Sequence, residues 1–223
     1  MYLTEKLAVT LGKNARNILN IDKDREQIIV YGAINLLQII FSILWTVIIG
    51  FILGVLYEAL ISSTTASILR KYSGGVHASS PNRCIIIGTT LAGTAGLIID
   101  RFSYRFSFKA TLALSILFII IAFVIIVLKA PVDSAKKPIT SINMKKKFKR
   151  NSIITLSVFS VLITVFSVLY KTTSEIYCLK IINSITLGVL WQSIALTNKG
   201  TIIFNKIDLA LKYIMERSNI NEN

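Results

Sequence analysis

The sequence contains few of the residues that build disulfide frameworks and structural metal sites. Among its 223 residues are two cysteines, Cys84 and Cys178, and one histidine, His77. Charged residues are also scarce, at 16%, whereas hydrophobic residues make up 53% and the mean hydropathy is +0.66. The first shortage excludes a structural zinc site and most metalloenzymes, so we expect no metal and no other cofactor. The second excludes an ordinary soluble domain and indicates an integral membrane protein.

Acidic residues are few as well, since 11 Asp and Glu stand against 25 Lys and Arg, a formal net charge of +14. In a soluble chain this excess would suggest nucleic-acid binding. In a membrane protein it is first a topology signal, because basic residues collect in cytoplasmic loops. We therefore expect contact with membrane lipids and no nucleic-acid partner.

The longest stretch without Lys or Arg, 27–69, covers 43 residues and contains one acid, Glu58. A continuous helix of that length would measure about 65 Å, roughly twice the hydrocarbon core, so a hairpin of two spans fits better. We place these spans at 28–47 and 53–69, with the turn around Gly50 and Gly54. Four further apolar runs lie at 84–99, 110–128, 152–169 and 181–197. Together with the hairpin they give six spans.

Six spans divide the basic residues very unevenly between the two sides of the membrane. One side receives 20 Lys and Arg and the other 5, whereas a single crossing over 27–69 would give 15 against 10. The stronger asymmetry predicts that both termini and the segment 70–83 are cytoplasmic. The predicted fold class is all-α, a polytopic helical membrane bundle forming one domain over 1–223. Its parts are an interfacial amphipathic helix (1–27), the six-span bundle (28–197) and a cytoplasmic tail (198–223).

One cytoplasmic segment, 70–84, concentrates residues capable of chemistry, with the sequence RKYSGGVHASSPNRC. A thiol peptidase needs a thiolate and a base that takes its proton, and Cys84 and His77 can provide them. Taken singly, a Cys at a helix start is usually a small apolar residue, and a loop His is usually solvated. Cys178 keeps that simpler interpretation because no second histidine is present to activate it.

The residues around this pair predict how the segment folds. Ser80 suits a helix N-cap and Pro81 the first helical position, so Cys84 is expected in the opening turn of a span. The positive end of the helix dipole there favours a thiolate. Gly74 and Gly75 would let the chain turn back tightly enough to bring the histidine over that helix end.

A different class of function stays open from the residues alone, namely a transporter or exporter of a small peptide. In that case His77 would be a gate or proton site and Cys84 would be inert. Thiol alkylation separates the two hypotheses. An activated Cys84 should react faster than Cys178 near neutral pH, and should slow when His77 is replaced.

The segment resembles the motif of the AgrB family, the accessory gene regulator B proteins of Gram-positive bacteria. The resemblance rests on RKYSGGVHASSPNRC, with its Arg, its Gly-Gly pair, its His and a Cys seven residues later, and it extends to length, basic character and span number. It implies a cysteine endopeptidase of the cytoplasmic membrane that cleaves the carboxyl-terminal tail of a quorum-sensing prepeptide. An acyl-enzyme thioester and closure of a thiolactone or lactone ring would follow. The residues that carry over are His77 and Cys84 as the catalytic pair, with Arg70, Gly74, Gly75 and Pro81 in support.

The resemblance also implies an AgrD-like prepeptide as the substrate and suggests a homodimer. The resemblance implies that such a precursor consists of an amphipathic leader, a ring segment and an acidic tail. Cations on the cytoplasmic side could hold such a tail electrostatically; the candidates are Lys71, Lys145, Lys146 and Lys147. The simpler interpretation of the basic residues in 129–150 is a positive-inside anchor that contacts anionic lipid.

Overall fold

The computed structural model describes residues 3–133 and 141–220, which are almost entirely helical. Within them, eight helices follow one another: α1 (Leu3–Leu19), α2 (Lys23–Ile52), α3 (Leu56–Ser73), α4 (Pro81–Arg105), α5 (Phe108–Lys129), α6 (Ile142–Thr173), α7 (Ile176–Ile194) and α8 (Asn198–Ile220). The predicted all-α membrane bundle is thereby confirmed. Residues 1–2 and 221–223 of the predicted terminal segments, and Lys136 and Lys137 of the basic loop, lie outside the described residues.

Not all of the bundle helices have the same membrane-spanning character. α2, α4, α5 and α6 are each long and apolar enough to cross a bilayer, and α7 with α8 passes the same test as a pair bent by 90°. α3 is more polar because four hydroxyl residues occupy its middle, 62–65. The chain is a multi-pass membrane protein. The total of six crossings and the cytoplasmic side of the termini remain predictions.

The apolar stretch 27–69 forms the predicted hairpin. α2 begins five residues earlier than the predicted span because the Asp22 side chain caps it, accepting from the backbone N–H of Arg25. The chain turns at Gly54, whose φ of +70° is a conformation that glycine adopts readily. Gly50 lies inside α2 rather than in the turn. A Cβ there would lie 3.0 Å from the Cα of Leu56, so this glycine lets the two arms meet.

The helix that carries Cys84 is longer than hydropathy predicts. α4 has 25 residues where the apolar run 84–99 suggests 16, because its polar ends are capped or paired by neighbouring elements. Two glycines of α4 contact the hairpin. A Cβ on Gly93 would lie 3.0 Å from Ile49, and one on Gly96 would lie 2.7 Å from Val55. A third glycine of α4, Gly88, faces open space.

Opposite ends of the bundle carry different features, which we name for later use. The site end contains the loop 74–80 between α3 and α4, together with α1 and α8. The far end contains the α2–α3 turn and the start of α7. Between them runs a buried core of α3, α5, α6 and α7 side chains, which includes Leu69, Ile126, Leu156, Leu179 and Ile182.

One side of α1 packs against the bundle, and that it lies at the membrane interface stays a prediction. Thr4 and Ala8 are buried against the bundle, and the Thr4 hydroxyl donates to the Asn82 side chain at 2.7 Å. The larger apolar residues Leu11 and Ile18 are exposed. Exposed leucine and isoleucine side chains on a membrane protein face lipid at little cost, so this helix is suited to lie along the bilayer surface.

Candidate catalytic site

The Gly-Gly pair forms a turn that no other residue could adopt without strain. Gly74 and Gly75 have φ values of +72° and +122°. Next to them, the backbone N–H of Val132 donates to the Ser73 carbonyl at 2.9 Å, and the N–H of Gly75 donates to the Val132 carbonyl at 3.3 Å. A Cβ on Gly74 would overlap the Val132 carbonyl oxygen. Both the dihedral angle and the close strand-like contact therefore require glycine at this position.

A buried amide on α7 fixes the same turn. The Nε2 of Gln192 donates to the Ser73 hydroxyl at 3.0 Å and to the Gly74 carbonyl at 2.8 Å, and its side chain is 1% exposed. Sequence reasoning missed this residue. An isolated Gln in an apolar run was the available signal, because a buried amide needs hydrogen-bond partners.

The start of α4 agrees with the predicted cap. The Ser80 hydroxyl accepts from the N–H of Arg83 at 3.3 Å, and Pro81 occupies the first turn. Cys84 is the fourth residue of the helix, and its own N–H donates to the Ser80 carbonyl at 3.1 Å. Its side chain is half-buried. The thiol thus lies in the first turn of a helix, where the dipole stabilises negative charge.

The chain on both sides of His77 packs into the apolar cluster that also includes Cys84. His77 itself is exposed in the loop. Its neighbours Val76 and Ala78 belong to the same apolar cluster as Cys84, a cluster built on Ile87 of α4 and on α8. The loop backbone is therefore held against the thiol-bearing helix turn, and the imidazole lies on its solvent-accessible side.

Arg70, in the last turn of α3, links the loop to the thiol. Its guanidinium donates to the carbonyl of Val76 and is close enough to Cys84 to attract a thiolate electrostatically. Its Nε is buried and, in the part of the chain that the structure describes, has no hydrogen-bond partner. Arg70 is therefore a cation at the site with a donor still available.

A carboxylate on α8 joins the segment between the histidine and the cysteine. Asp208 accepts from the hydroxyl and N–H of Ser79, at 2.6 and 3.1 Å, and from Nε of Arg83 at 2.7 Å. The Arg83 guanidinium also donates to the Ser79 hydroxyl. Burial would raise the pKa of Asp208, but the hydrogen bonds from Ser79 and Arg83 outweigh it and hold the pKa below its ordinary value.

The predicted tail-binding lysines lie at the site end on two elements. Lys71 is exposed at the end of α3, with its ammonium 5.5 Å from the Tyr72 ring centroid. Lys145, Lys146 and Lys147 are exposed on the first turns of α6, which is helical where a loop was expected. Lys145 pairs with Asp133 at 3.5 Å, next to the valine that contacts the Gly-Gly turn.

Glu58, Asp100 and the second cysteine lie at the far end. Cys178 is in the first turn of α7. Glu58 on α3 pairs with Lys180 at 2.9 Å, because the start of α7 lies between α3 and α4. The far end is thus remote from the histidine. Across residues 3–133 and 141–220, no three His, Cys, Asp or Glu side chains are grouped to hold a metal ion.

Known proteins resemble this chain over most of its length. The family model described as Accessory gene regulator B matches residues 4–196. The chain is 34% identical over 207 residues to the "Putative AgrB-like protein" of Clostridium perfringens (strain SM101 / Type A), and 32% identical over 207 residues to the "Putative AgrB-like protein 2" of Clostridium perfringens (strain 13 / Type A). Each alignment covers 92% of this chain and 97% of the relative. No solved structure matches the chain.

Proposed function

The chain belongs to the accessory gene regulator B family, and from this membership we propose that it is a membrane cysteine endopeptidase that trims a quorum-sensing prepeptide. Membership supports a role in the processing of a peptide signal, with an AgrD-like prepeptide as the substrate. The observation that carries the specific chemistry is that both neighbours of His77 belong to the same apolar cluster as Cys84, which lies in the first turn of α4.

The reaction begins with proton transfer from the Cys84 thiol to the His77 imidazole. The thiolate attacks the carbonyl carbon of the scissile peptide bond, and a tetrahedral oxyanion forms. The carbon–nitrogen bond then breaks as the imidazolium protonates the leaving amine, and the tail departs. The remaining peptide is held as a thioester on Cys84. The positive end of the α4 dipole lies where negative charge develops on the sulfur in this sequence.

Ring closure regenerates the enzyme. An internal Cys or Ser of the peptide attacks the thioester carbonyl, so that a thiolactone or lactone forms and the Cys84 sulfur is released. Exchange between two thioesters is nearly isoenergetic, and the competing reaction is hydrolysis by water. On the thiol side, α8 packs on the cluster that includes Cys84 and limits access of that water to the thioester.

Mass spectrometry of a candidate precursor incubated with the purified protein in lipid tests the proposal. A small acidic reading frame beside the gene would supply such a precursor. We expect release of the tail and a thioester adduct on the protein, both absent from Cys84→Ala. Cys178→Ala is the matched control and should cleave normally. Undiminished cleavage by Cys84→Ala would refute the assignment.

The acidic tail of the precursor is held by the exposed cations at the site end. Lys71 on α3 and the run Lys145, Lys146 and Lys147 on α6 offer this positive charge, and Lys145 pairs with Asp133, the residue after the valine that contacts the Gly-Gly turn. Replacing the three α6 lysines by Glu should raise KM for the precursor at low salt more than at high salt. An unchanged KM with unchanged topology would leave these lysines as lipid anchors only.

A further inference from the structure

One face of α8 covers the segment that carries the proposed catalytic pair. Phe204, Asp208 and Leu211 follow one another at four- and three-residue spacing, which places them on the same side of a helix. Phe204 is 5% exposed and packs with Ala78, and Leu211 packs against the same cluster as Cys84. The carboxylate therefore lies between two apolar contacts that dock α8 on the site.

Both oxygens of this carboxylate are used. Oδ1 accepts from Arg83, the residue before Cys84, and Oδ2 accepts from the hydroxyl and the N–H of Ser79, two residues after His77. The bond to the Ser79 N–H fixes the backbone of the loop as well as a side chain. One group on α8 thus ties the histidine-bearing loop to the cysteine-bearing helix turn.

The bend before α8 directs the carboxylate to this position. α8 leaves α7 at an angle of 90°, and the Thr197 hydroxyl accepts from the N–H of Gly200 at 3.0 Å. A Cβ on Gly200 would overlap the Ile194 carbonyl oxygen, so the tight bend depends on glycine. The family model ends at residue 196, before this helix begins.

We propose that Asp208 is a positioning residue for the peptidase: through Ser79 and Arg83 it holds His77 in reach of the Cys84 thiol. This role rests on the proposed function. Proton transfer between the two side chains needs near hydrogen-bonding geometry, and a displacement of about 1 Å can slow such a step on the order of 100-fold. Among the described residues the hydrogen-bond partners of Asp208 are Ser79 and Arg83, so it acts through the loop and the helix start.

The test compares three variants with the wild-type protein in lipid. Asp208→Asn removes the charge and keeps the shape. Arg83→Met with Asp208→Leu removes both charges, which avoids leaving the buried Arg83 unpaired and guards against simple unfolding. Glu216→Gln is the matched control, since Glu216 is an exposed α8 carboxylate that pairs with Lys212 at 3.8 Å.

Two readouts are needed. The first is steady-state cleavage of the precursor, for which Asp208→Asn and the double variant should each lower kcat roughly 10-fold or more with KM changed by less than about twofold. The second is the rate of Cys84 alkylation near neutral pH in a Cys178→Ser background, measured with and without His77→Ala. The acceleration caused by His77 should be lost in both Asp208 variants and kept in Glu216→Gln.

The outcomes separate this role from the proposed function. A double variant that cleaves as fast as wild type would mean that Asp208 only neutralises Arg83, which overturns the positioning role. Full retention of the His77 acceleration in Asp208→Asn would also overturn it, while the peptidase assignment would stand. No His77 acceleration in the wild-type protein would overturn both.

Discussion

The site end and the far end of the bundle both bury charged groups, but the charges fix different things. At the far end, Lys180 on α7 bonds Glu58 on α3 at 2.9 Å and Asp100 on α4 at 2.5 Å, so regular helices are tied to one another. At the site end, Asp208 bonds Ser79 and Arg83, so an irregular loop is tied to a helix start.

The difference follows from what each end must satisfy. Helices satisfy their own backbone groups, and the far-end charges need only compensate one another. A loop cannot satisfy its own backbone groups in this way. At the site end the Gly74 carbonyl therefore accepts from Gln192, and the Ser79 N–H donates to Asp208. Changes at the far end should therefore alter stability, and changes at the site end should alter the reaction.

The largest contrast is expected between two glycines of similar φ. Gly74→Ala places a Cβ against the Val132 carbonyl oxygen and forces an alanine into φ of +72°, so we expect cleavage to fall roughly 100-fold. Gly54→Ala has the dihedral strain alone, since nothing lies within 4 Å of its Cβ position. It should lose about 1 kcal/mol of stability and cleave normally.

Precursor cleavage per folded molecule and thermal unfolding in lipid measure the two effects. Equal loss of cleavage in both glycine variants would contradict the contrast between the ends.

The next largest effect is expected for Lys180, whose replacement should lower stability and leave the cleavage rate unchanged. Lys180→Met leaves Glu58, which is 5% exposed, without its cation, and should lower the free energy of unfolding by about 3 kcal/mol. Lys171→Met is the control, because Lys171 is exposed at the same end of the bundle. Thermal unfolding should separate the two variants, and the cleavage rate of folded Lys180→Met should match wild type. A reduced kcat in that variant would show that the ion pairs at the far end also affect the catalytic step.

The smallest contrast compares two polar residues on α7. Gln192→Leu removes the donor to Ser73 and Gly74, which should cost about 1–3 kcal/mol and lower kcat several-fold, because the turn before His77 loosens. Thr186→Val removes a hydrogen bond to Ser115 at 3.0 Å, within the bundle, and should cost about 1 kcal/mol with kcat unchanged. Identical kcat values for the two variants would argue against any role of Gln192 in the site.

Local sequence patterns predicted much of the fold and part of the site. Ser80 and Pro81 mark the start of α4 because capping depends on neighbours three residues away, and this prediction is confirmed. The hairpin over 27–69 follows from length alone. Hydropathy, however, located only the apolar centre of α4, since the polar ends of a helix resemble loop until their partners are known.

Local patterns could not predict hydrogen bonds between residues far apart in the sequence. Gln192 is 119 residues from Ser73, and Asp208 is 125 residues from Arg83. In sequence, the first looks like an isolated polar residue in a span and the second like one charge among several on a surface helix. No local pattern identified Lys180 as the partner of Glu58 either.

The amino-acid sequence by itself determined that this chain is a basic, multi-pass helical membrane protein and that its one histidine precedes a cysteine at a helix start. Periodicity, apolar length and capping are local, so they can be inferred from adjacent residues. Only the tertiary structure decided that α7 and α8 supply the groups that hold the loop. Helix packing alone brings residues more than one hundred positions apart within hydrogen-bonding distance.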